Sequence, residues 1–350
     1  MKFHELEIEA ARRETPDAVA LSFAVPPELE KAFAYRPGQY LTLRHVFDGL
    51  KERRSYSIAS EPGAGLMVAI KKVEGGRFST FAQGLKPGDR VEVAPPEGRF
   101  VLGDQRDILL VAAGSGITPM VAIASHALAA GARVTLVYGN RDTGHIMFRE
   151  AMDALKDKYL ARFTLIHVLS REEQDVPLLN GRINGERLAG LARAGAIDMG
   201  SVKAAFLCGP GEMIEDVETS LRDLGLAPAA IHQERFTTEG EAPRPTRSRT
   251  AQAAAQAGVA VEVILDGTRR HFMLQEEDDS VLAAATRQGL ELPYSCKGGM
   301  CCTCRCRITE GAAEMATNYS LEPWEQEAGF TLACQARPTT PRIVLDFDAA

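Results

Sequence analysis

The sequence predicts a multidomain protein made of an antiparallel β-barrel, an α/β domain with a parallel sheet, and a small C-terminal α+β domain. Short apolar runs separated by Pro-Gly turns occupy residues 5–102, as in antiparallel barrels. Apolar runs then alternate with helical segments over residues 104–236, a pattern typical of βα units. Six of the seven cysteines lie between Cys296 and Cys334, which indicates a third domain built around thiol chemistry.

The composition is that of an ordinary globular chain. Its 350 residues, 45% hydrophobic and 25% charged, suffice for two or three compact domains. The net charge of −7 argues against non-specific binding to nucleic acid, which needs clustered Lys and Arg. The N-terminus lacks the apolar region of a signal peptide, and no run approaches the roughly 18 apolar residues of a membrane span. We therefore expect a cytoplasmic protein with no nucleic-acid and no membrane partner.

Residues 1–103 predict the barrel domain. Pro37-Gly38, Pro62-Gly63 and Pro87-Gly88 separate its apolar runs, because proline fixes φ and the following glycine permits a tight turn. The strands predicted between these corners are residues 40–43, 54–58, 66–70 and 90–93.

Residues 104–236 predict the α/β domain. The apolar runs here are continuous, as expected for strands that helices cover on both faces. They are residues 108–112, 134–138, 163–168 and 204–208.

Residues 237–258 predict a linker, since this stretch has little apolar content that could form a core. Its Ala/Gln-rich part leaves a short packed helix as the alternative. Residues 259–350 predict the third domain, with an alternating strand at 259–265 and a helix at 280–289.

The cysteine spacing is the most specific signal in the chain. Three cysteines follow the pattern C-x4-C-x2-C, and a fourth comes after 29 intervening residues, which is the spacing of plant-type [2Fe-2S] ferredoxins. Gly298 and Gly299 let the loop curl so that backbone amides can approach the sulfides. A four-cysteine zinc site is the alternative, but zinc ribbons usually supply two C-x2-C pairs. The predicted cluster ligands are Cys296, Cys301, Cys304 and Cys334.

Two further cysteines, Cys302 and Cys306, do not fit this spacing. We interpret them as small apolar residues packed beside the cluster, with a ligand exchange at Cys302 as the alternative. Clustered thiols in a reducing compartment bind metal more often than they form disulfides.

Two segments of the barrel contain the residue types that a flavin dinucleotide needs. The first is an R-x-Y-S strand, in which a ring can stack on the isoalloxazine, a hydroxyl can reach its N5 edge and an arginine can neutralise pyrophosphate. The second is a Gly-rich turn that opens a helix, whose first amides can also meet phosphate. Alone this pattern is weak, because Arg and Tyr on a barrel strand are usually surface and core residues. The residues predicted to bind FAD are Arg54, Tyr56, Ser57, Gly76, Arg77, Phe78 and Ser79.

Two turns of the α/β domain predict a nucleotide site. In one, an apolar strand runs through Gly114-Ser115-Gly116 into a helix with proline near its first turn, a geometry that cradles phosphates. In the other, Cys208-Gly209-Pro210 follows an apolar strand and lets backbone approach a ligand at the carboxyl ends of the strands. Neither is the full dinucleotide fingerprint, so the prediction depends on the strand-to-helix context. The residues predicted to bind nucleotide here are Gly114, Gly116, Thr118, Cys208, Gly209 and Met213.

In this order, the segments resemble the ferredoxin-NADP reductase superfamily over residues 5–236. The resemblance implies an FAD-binding barrel followed by a nicotinamide domain. It also implies that Cys208 lies beside the hydride-transfer site, and that Glu234 and Phe236 lie near the far face of the flavin. Ser57 is predicted to tune the flavin N5 by a hydrogen bond. A plain core thiol is the alternative for Cys208.

The C-terminal segments narrow the family. The runs CKGGMC at 296–301, NYSLEPWE at 318–325 and LACQARP at 332–338 are similar to the reductase subunits of phenylacetyl-CoA epoxidases, and the similarity spans essentially the whole chain. It implies a β-grasp ferredoxin domain that receives electrons from NAD(P)H through FAD. It further implies that the acceptor is a di-iron multicomponent monooxygenase that epoxidises phenylacetyl-CoA in phenylacetate catabolism. This sequence departs from the family at Cys302, where a small residue is frequent.

Three other functions stay open. The chain could be the reductase of another aromatic-ring or alkane oxygenase, which electron delivery to purified oxygenases would reveal. It could be a zinc-stabilised interaction module fused to a nucleotide sensor, which would be colourless. It could also be a non-catalytic redox sensor, which would show negligible cytochrome c reduction with NADPH.

Two arginines at strand ends bear on the choice of nicotinamide. NADH sites usually place a carboxylate on the ribose 2′-hydroxyl, whereas NADPH sites present Arg to the 2′-phosphate. Arg141 follows Asn140, and Arg171 follows Ser170; the second pair most closely resembles an NADPH-binding position of the superfamily. We therefore predict NADPH over NADH, with Arg141, Ser170 and Arg171 as binding residues. Solvated surface arginines are the alternative.

The acidic run at residues 276–279 has two interpretations. It could dock onto a basic patch of the oxygenase, or it could be a solvated turn. A flexible linker would let the ferredoxin domain alternate between the flavin and the oxygenase.

Overall fold

The computed structural model describes residues 1–236 and 245–349. The chain divides near residue 237 into two compact units. The first unit contains the barrel and the α/β domain, and the second contains the cysteine-rich domain, so the predicted fold class is confirmed.

The first unit begins with six antiparallel strands in the order β4-β3-β6-β1-β2-β5. Leu6 and Ile8 of the first strand and Leu21 of the second are buried at alternate positions, which gives the sheet one apolar face. A bridge between Ile58 and Val68 connects the two outer strands, so the sheet closes into a barrel. The strands are β1 His4–Thr15, β2 Ala18–Ala24, β3 Tyr40–Phe47, β4 Leu50–Ser57, β5 Leu66–Lys71 and β6 Arg90–Val93, and a short helix, α1 Arg77–Ala82, follows β5.

The α/β domain is a five-stranded parallel sheet in the order β11-β10-β7-β8-β9. Successive residues of the central strand enter separate cores, because Leu109 and Val111 belong to one apolar cluster and Leu110 to another. The strands are β7 Asp107–Ala113, β8 Arg133–Asn140, β9 Phe163–Leu169, β10 Ala204–Gly209 and β11 Ile231–Arg235. The helices are α2 Ile117–Ala129, α3 Arg149–Lys158, α4 Gly185–Arg193 and α5 Gly211–Asp223.

The strand order creates a switch point between β7 and β10. The chain runs outward from β7 through β8 to β9 and then returns to β10 on the other side of β7. The turns that follow β7 and β10 therefore meet at the carboxyl edge of the sheet, where open α/β sheets bind ligands. The barrel is fixed against this domain by a shared apolar cluster that includes Ala20 and Ala69 of the barrel and Met120 of α2.

The second unit is a mixed five-stranded sheet in the order β13-β12-β18-β14-β16, with a separate pair of strands, β15 and β17. The parallel β12–β18 pair lies at its centre, between antiparallel neighbours. This is the predicted β-grasp arrangement. The strands are β12 Val259–Leu265, β13 Thr268–Leu274, β14 Arg305–Glu310, β15 Ala313–Met315, β16 Phe330–Leu332, β17 Ala336–Pro338 and β18 Arg342–Asp346. The helices are α6 Arg249–Ala257, α7 Val281–Arg287 and α8 Pro323–Glu327.

The helix α6 corrects part of the predicted linker at 237–258, of which residues 237–244 lie outside the described ranges. The Ser248 side chain caps α6 by accepting from the Ala251 amide at 3.2 Å. Ala251 and Ala255, one turn apart, are buried, and Ala255 joins the core of the second unit. Two small side chains at this spacing form a narrow apolar stripe that composition alone does not reveal.

None of the helices in the described part of the chain is long and apolar enough to cross a membrane.

A buried ion pair holds α8 against the rest of the second unit. Glu325 is 0% exposed and pairs at 2.8 Å with Arg305, whose guanidinium lies 3.6 Å from the centre of the Phe330 ring. Glu325 also accepts from the amide of Glu322, which closes a capping box at the start of the helix. Arg305 directly follows Cys304, so this pair connects the helix to the predicted cluster loop.

We expect Glu325→Ala to lower the free energy of unfolding of the second unit by about 3 kcal/mol, because it leaves Arg305 without its buried counter-charge. Urea unfolding followed by the fluorescence of Trp324, the single tryptophan of the chain, reports on this unit. Glu327→Ala, an exposed glutamate of the same helix, is the control and should cost less than about 0.5 kcal/mol. Equal losses in the two variants would contradict the role given to the pair.

Candidate functional site

Three residues from separate elements meet where the barrel joins the α/β sheet. Ser57 ends β4, is 2% exposed, and donates from its hydroxyl to Glu234 Oε2 at 2.9 Å. Glu234 of β11 pairs in register with Cys208 of β10. Burial, and after it the charge of Glu234, raises the pKa of the Cys208 thiol well above its usual value, so this thiol is neutral. The structure thus brings together Ser57, Cys208 and Glu234, all three of which were predicted from the sequence.

The predicted aromatic residues of the flavin site lie at different depths. The rings of Tyr56 and Phe78 are 5.8 Å apart, and burial raises the pKa of Tyr56. Tyr56 is only partly buried, whereas Phe78 is 1% exposed within the barrel core. Phe78 therefore supports Tyr56 from behind and has no open face for a ligand in this structure.

Gly76 and Ser79 form the Gly-rich turn itself. The Ser79 hydroxyl accepts from the Val73 amide at 3.0 Å and donates to the Gly76 carbonyl at 3.2 Å. A Cβ at Gly76 would lie 2.6 Å from this hydroxyl oxygen. The predicted ligand Ser79 thus uses its side chain within the turn, and Gly76 provides the space for it.

Arg54 and Arg77 are joined by Glu52, a residue that was not predicted from the sequence. Glu52 accepts from Arg54 Nη2 at 3.3 Å and lies 3.6 Å from Arg77 Nε. Arg77 also donates to Asp48 at 2.8 Å. Glu52 and Arg54 are two positions apart on β4 and so share one face of the strand. This spacing could have predicted their contact from the sequence. The carboxylate orients both of these predicted FAD-binding arginines.

The turn after β7 needs glycine at Gly116. A Cβ there would lie 2.2 Å from the carbonyl oxygen of Cys208, so only glycine permits the two turns to approach this closely. Gly114 has φ +55°, and its carbonyl accepts from the Tyr138 hydroxyl at 3.1 Å. The buried Thr118 hydroxyl donates to the Ser115 carbonyl at 3.0 Å and fixes the turn from the helix side.

The turn after β10 also has little room for a side chain. A Cβ at Gly209 would lie 2.7 Å from the terminal methyl of Met213, which is itself buried. Gly209 and Met213 therefore pack against each other at the start of α5. Phe236, partly buried, packs against the apolar cluster shared by barrel and sheet.

Arg141, predicted to bind NADPH, is held by Asp17, a barrel residue that was not predicted to belong to the site. Its Nη2 donates to Asp17 Oδ2 at 2.8 Å, and Lys71 Nζ lies 3.7 Å from the same oxygen. Burial alone would raise the pKa of Asp17, but the Thr15 hydroxyl, Lys71 and Arg141 together hold it below its usual value. Burial lowers the pKa of the Lys71 ammonium.

Arg171 differs from Arg141 in the contacts of its side chain. Its amide donates to the Arg141 carbonyl at 2.7 Å, so the two arginines leave neighbouring strands at the same edge of the sheet. The Arg171 side chain is exposed, and among the described residues its guanidinium makes no hydrogen bond or ion pair. The adjacent Ser170 hydroxyl donates to the Asn140 carbonyl at 3.3 Å.

The four predicted cluster ligands form two pairs. Cys296 shares a hydrogen bond with Cys301, and Cys304 shares one with Cys334. The bond with Cys301 is the main reason why the pKa of Cys296 falls to about 7, with burial opposing it and the amides of Gly298 and Met300 assisting. These contacts suit a [2Fe-2S] cluster, in which four thiolates are divided between two irons.

The backbone of this loop is curled as the glycines suggested. Gly299 has φ +77°, and a Cβ there would lie 2.9 Å from the Thr317 carbonyl. Lys297 and Cys302 also have positive φ, at 54° and 58°. The Gly298 amide donates to Cys296 Sγ at 3.3 Å, which is the kind of contact that stabilises a thiolate.

The two additional cysteines are placed as interpreted. Cys302 packs against the core of the second unit, and Cys306 on β14 is fully buried within it. In the described ranges, no group of three or more His, Cys, Asp or Glu side chains is arranged to hold a single metal ion.

One residue of the acidic run at 276–279 is buried in the fold. Asp278 is 4% exposed and binds Arg287 through two hydrogen bonds of 2.8 and 2.6 Å. Glu276 accepts from Gln252 and Gln256 of α6. Asp278 thus belongs to the fold, whereas Glu276, Glu277 and Asp279 are exposed, so the docking and solvated-turn interpretations both stay predictions for these three residues.

Three family models match the chain. An oxidoreductase FAD-binding domain covers residues 5–102, an oxidoreductase NAD-binding domain covers 110–219, and a 2Fe-2S iron-sulfur cluster binding domain covers 263–339. The flavin, nucleotide and cluster residues described above fall within these three ranges, except Glu234 and Phe236, which lie between the second and the third.

Curated relatives resemble the chain over nearly its whole length. A 1,2-phenylacetyl-CoA epoxidase subunit from Escherichia coli (strain K12) is 46% identical over 99% of this chain and 98% of that protein. The ferredoxin reductase component of 3-ketosteroid-9-alpha-monooxygenase from Rhodococcus rhodochrous is 36% identical over 98% and 96%. The structure of phthalate dioxygenase reductase, described as modular for electron transfer from pyridine nucleotides to [2Fe-2S], has the same fold, with a TM-score of 0.59, 21% identity and coverage of 99% and 98%.

We expect Gly116→Ala to lower kcat/KM for the nicotinamide nucleotide by roughly 100-fold, because the new methyl group must push the turn away from Cys208. Steady-state reduction of ferricyanide measures the effect. Gly200→Ala is the control, since a Cβ there meets nothing closer than 3.4 Å. A Gly116→Ala variant as active as this control would show that the close approach is not needed.

Proposed function

The chain belongs to the family of oxidoreductases that includes the Escherichia coli 1,2-phenylacetyl-CoA epoxidase subunit and the ferredoxin reductase components of 3-ketosteroid-9-alpha-monooxygenases, and we propose that it is an NADPH-dependent reductase of a phenylacetyl-CoA epoxidase. In this proposal electrons pass from NADPH through FAD and a [2Fe-2S] cluster to the oxygenase component. The observation that carries it is the meeting of Ser57, Cys208 and Glu234 between the FAD-binding and NAD-binding domains.

The residues present fit all three groups. Tyr56, Arg54 and Arg77 would hold FAD, the turns at Gly114–Gly116 and Cys208–Gly209 would hold the nucleotide, and the four paired thiols would hold the cluster. When bound, the flavin converts a two-electron hydride into single electrons that the cluster can pass on. Hydride transfer needs no acid or base from the protein, so positioning accounts for the chemistry.

The residues at the junction orient one another and keep water out. The Ser57 hydroxyl donates to Glu234. This bond fixes the direction in which the lone pairs of the Ser57 oxygen point. Cys208 is buried and neutral, so it fills space at the junction without adding charge. The deep burial of Ser57 and Cys208 keeps solvent from the position where nucleotide and flavin would meet. We place the reaction in the cytoplasm, where clustered thiols such as those between Cys296 and Cys334 stay reduced and available to bind metal.

The acceptor is proposed to be the di-iron oxygenase component of a phenylacetyl-CoA epoxidase, and the 46% identity to a component of that enzyme supports it. With NADPH, purified oxygenase and phenylacetyl-CoA, the chain should support epoxide formation, measured by mass spectrometry. Cys334→Ser should abolish epoxide formation and cytochrome c reduction while ferricyanide, which the flavin can reduce, still reacts. A chain that reduces ferricyanide but supports only a different oxygenase would refute the proposed acceptor.

NADPH is proposed as the donor because Arg171 offers an exposed guanidinium with no partner among the described residues. We expect Arg171→Ala to lower the ratio of kcat/KM for NADPH to that for NADH by roughly tenfold, the value of one charge-assisted hydrogen bond. Arg193→Ala, an exposed arginine at the end of α4, is the control. An unchanged ratio in Arg171→Ala would rule out this residue as the 2′-phosphate contact.

A further inference from the structure

Asp17 lies between two cations that face the nucleotide site from different domains. Arg141 leaves the end of β8 in the α/β domain, and Lys71 ends β5 in the barrel. Both approach Asp17 Oδ2, at 2.8 and 3.7 Å. Lys71 Nζ is also 3.9 Å from the position of a Cβ on Gly114, in the predicted phosphate turn. One carboxylate therefore contacts two cations at this edge of the predicted nucleotide site.

We propose that Asp17 is a specificity-determining residue that acts through Arg141: it holds the guanidinium in an ion pair and so leaves Arg171 as the arginine available to a 2′-phosphate. The inference rests on the proposed binding of NADPH, and it concerns how strongly the site selects NADPH over NADH.

The carboxylate of Asp17 is fixed in place. Its Oδ1 accepts from the Thr15 hydroxyl at 2.7 Å, and its backbone carbonyl accepts from the Lys72 amide at 2.7 Å. The side chains of Asp17 and Arg141 are 27% and 39% exposed, so solvent screens their attraction less than that of a surface pair. Arg141 would have to give up this contact to reach a phosphate.

The charges around Arg141 cancel. Lys71 and Arg141 are balanced by Asp17 and by Asp142, which lies 2.6 Å from His145 Nδ1. A neutral group gives little attraction for a doubly charged 2′-phosphate. The Arg171 side chain does not belong to this neutral group, although the Arg171 backbone amide donates to the Arg141 carbonyl at 2.7 Å. Removing the charge of Asp17 would therefore add a second free arginine next to Arg171.

The test compares Asp17→Asn with wild type, and Asp17→Asn/Arg141→Ala with Arg141→Ala. Inhibition constants for 2′,5′-ADP and 5′-AMP isolate the 2′-phosphate, and kcat and KM are measured with NADPH and NADH. Asp17→Asn should lower the inhibition constant for 2′,5′-ADP about fivefold relative to that for 5′-AMP. It should also lower KM for NADPH with kcat unchanged. In the Arg141→Ala background the same substitution should not alter the ratio.

Asp89→Asn is the matched control, because Asp89 accepts from the Lys86 amide in another barrel turn. Asp17→Ser provides a second variant if Asp17→Asn unfolds. The inference is overturned if the inhibitor ratio stays the same, if both inhibitors tighten equally, or if the effect persists without Arg141. Weaker 2′,5′-ADP binding in Asp17→Asn also overturns it, since Asp17 would then be orienting Arg141 for the phosphate.

A wild-type chain that prefers NADH would refute the proposed donor by itself. The response of the inhibitor ratio to Asp17→Asn would still decide the role of Asp17, so the two failures are distinguishable.

Discussion

The close approach of Gly116 to the carbonyl oxygen of Cys208 is the constraint on which the first unit depends. A methyl group at Gly116 would lie 2.2 Å from that oxygen, so the turn after β7 can meet the turn after β10 only because a side chain is missing. Once the two turns are in contact, Cys208 stands in register with Glu234, and Glu234 receives the hydroxyl of Ser57 from the barrel. Two domains are thereby connected through groups that each contact the next.

The second unit also depends on the backbone freedom of glycine, but for a different purpose. Four thiols must lie close together although thiolates repel one another and burial disfavours their charge. The loop contributes backbone groups: the Gly298 amide donates to Cys296 Sγ, and the positive φ of Gly299 and Cys302 turns the chain around the sulfur atoms. The buried pair of Arg305 and Glu325 then fixes the end of the loop.

Local patterns allowed much of this to be predicted, and long-range pairing accounts for the rest. The period of the apolar residues predicted barrel and parallel sheet, and the spacing of the cysteines predicted their ligand set. Asp17 could not be connected to Arg141 in this way, because 124 positions separate them and only the folded barrel brings them together. Phe78 and Ser79 match a flavin motif, yet the fold uses the first as core and the second to close a turn. The helix α6 was missed as a firm prediction because alanine contributes little to hydropathy while packing closely.

The burial of Cys208 has a further consequence for survival in the presence of dioxygen. Reactive cysteines are oxidised as thiolates, at a rate that follows their ionised fraction and their accessibility. Cys208 is fully buried, and its pKa is raised by burial and by Glu234, so both quantities are small. The Cys208 sulfur is therefore expected to act as a packing group that reacts slowly with peroxide and with alkylating reagents.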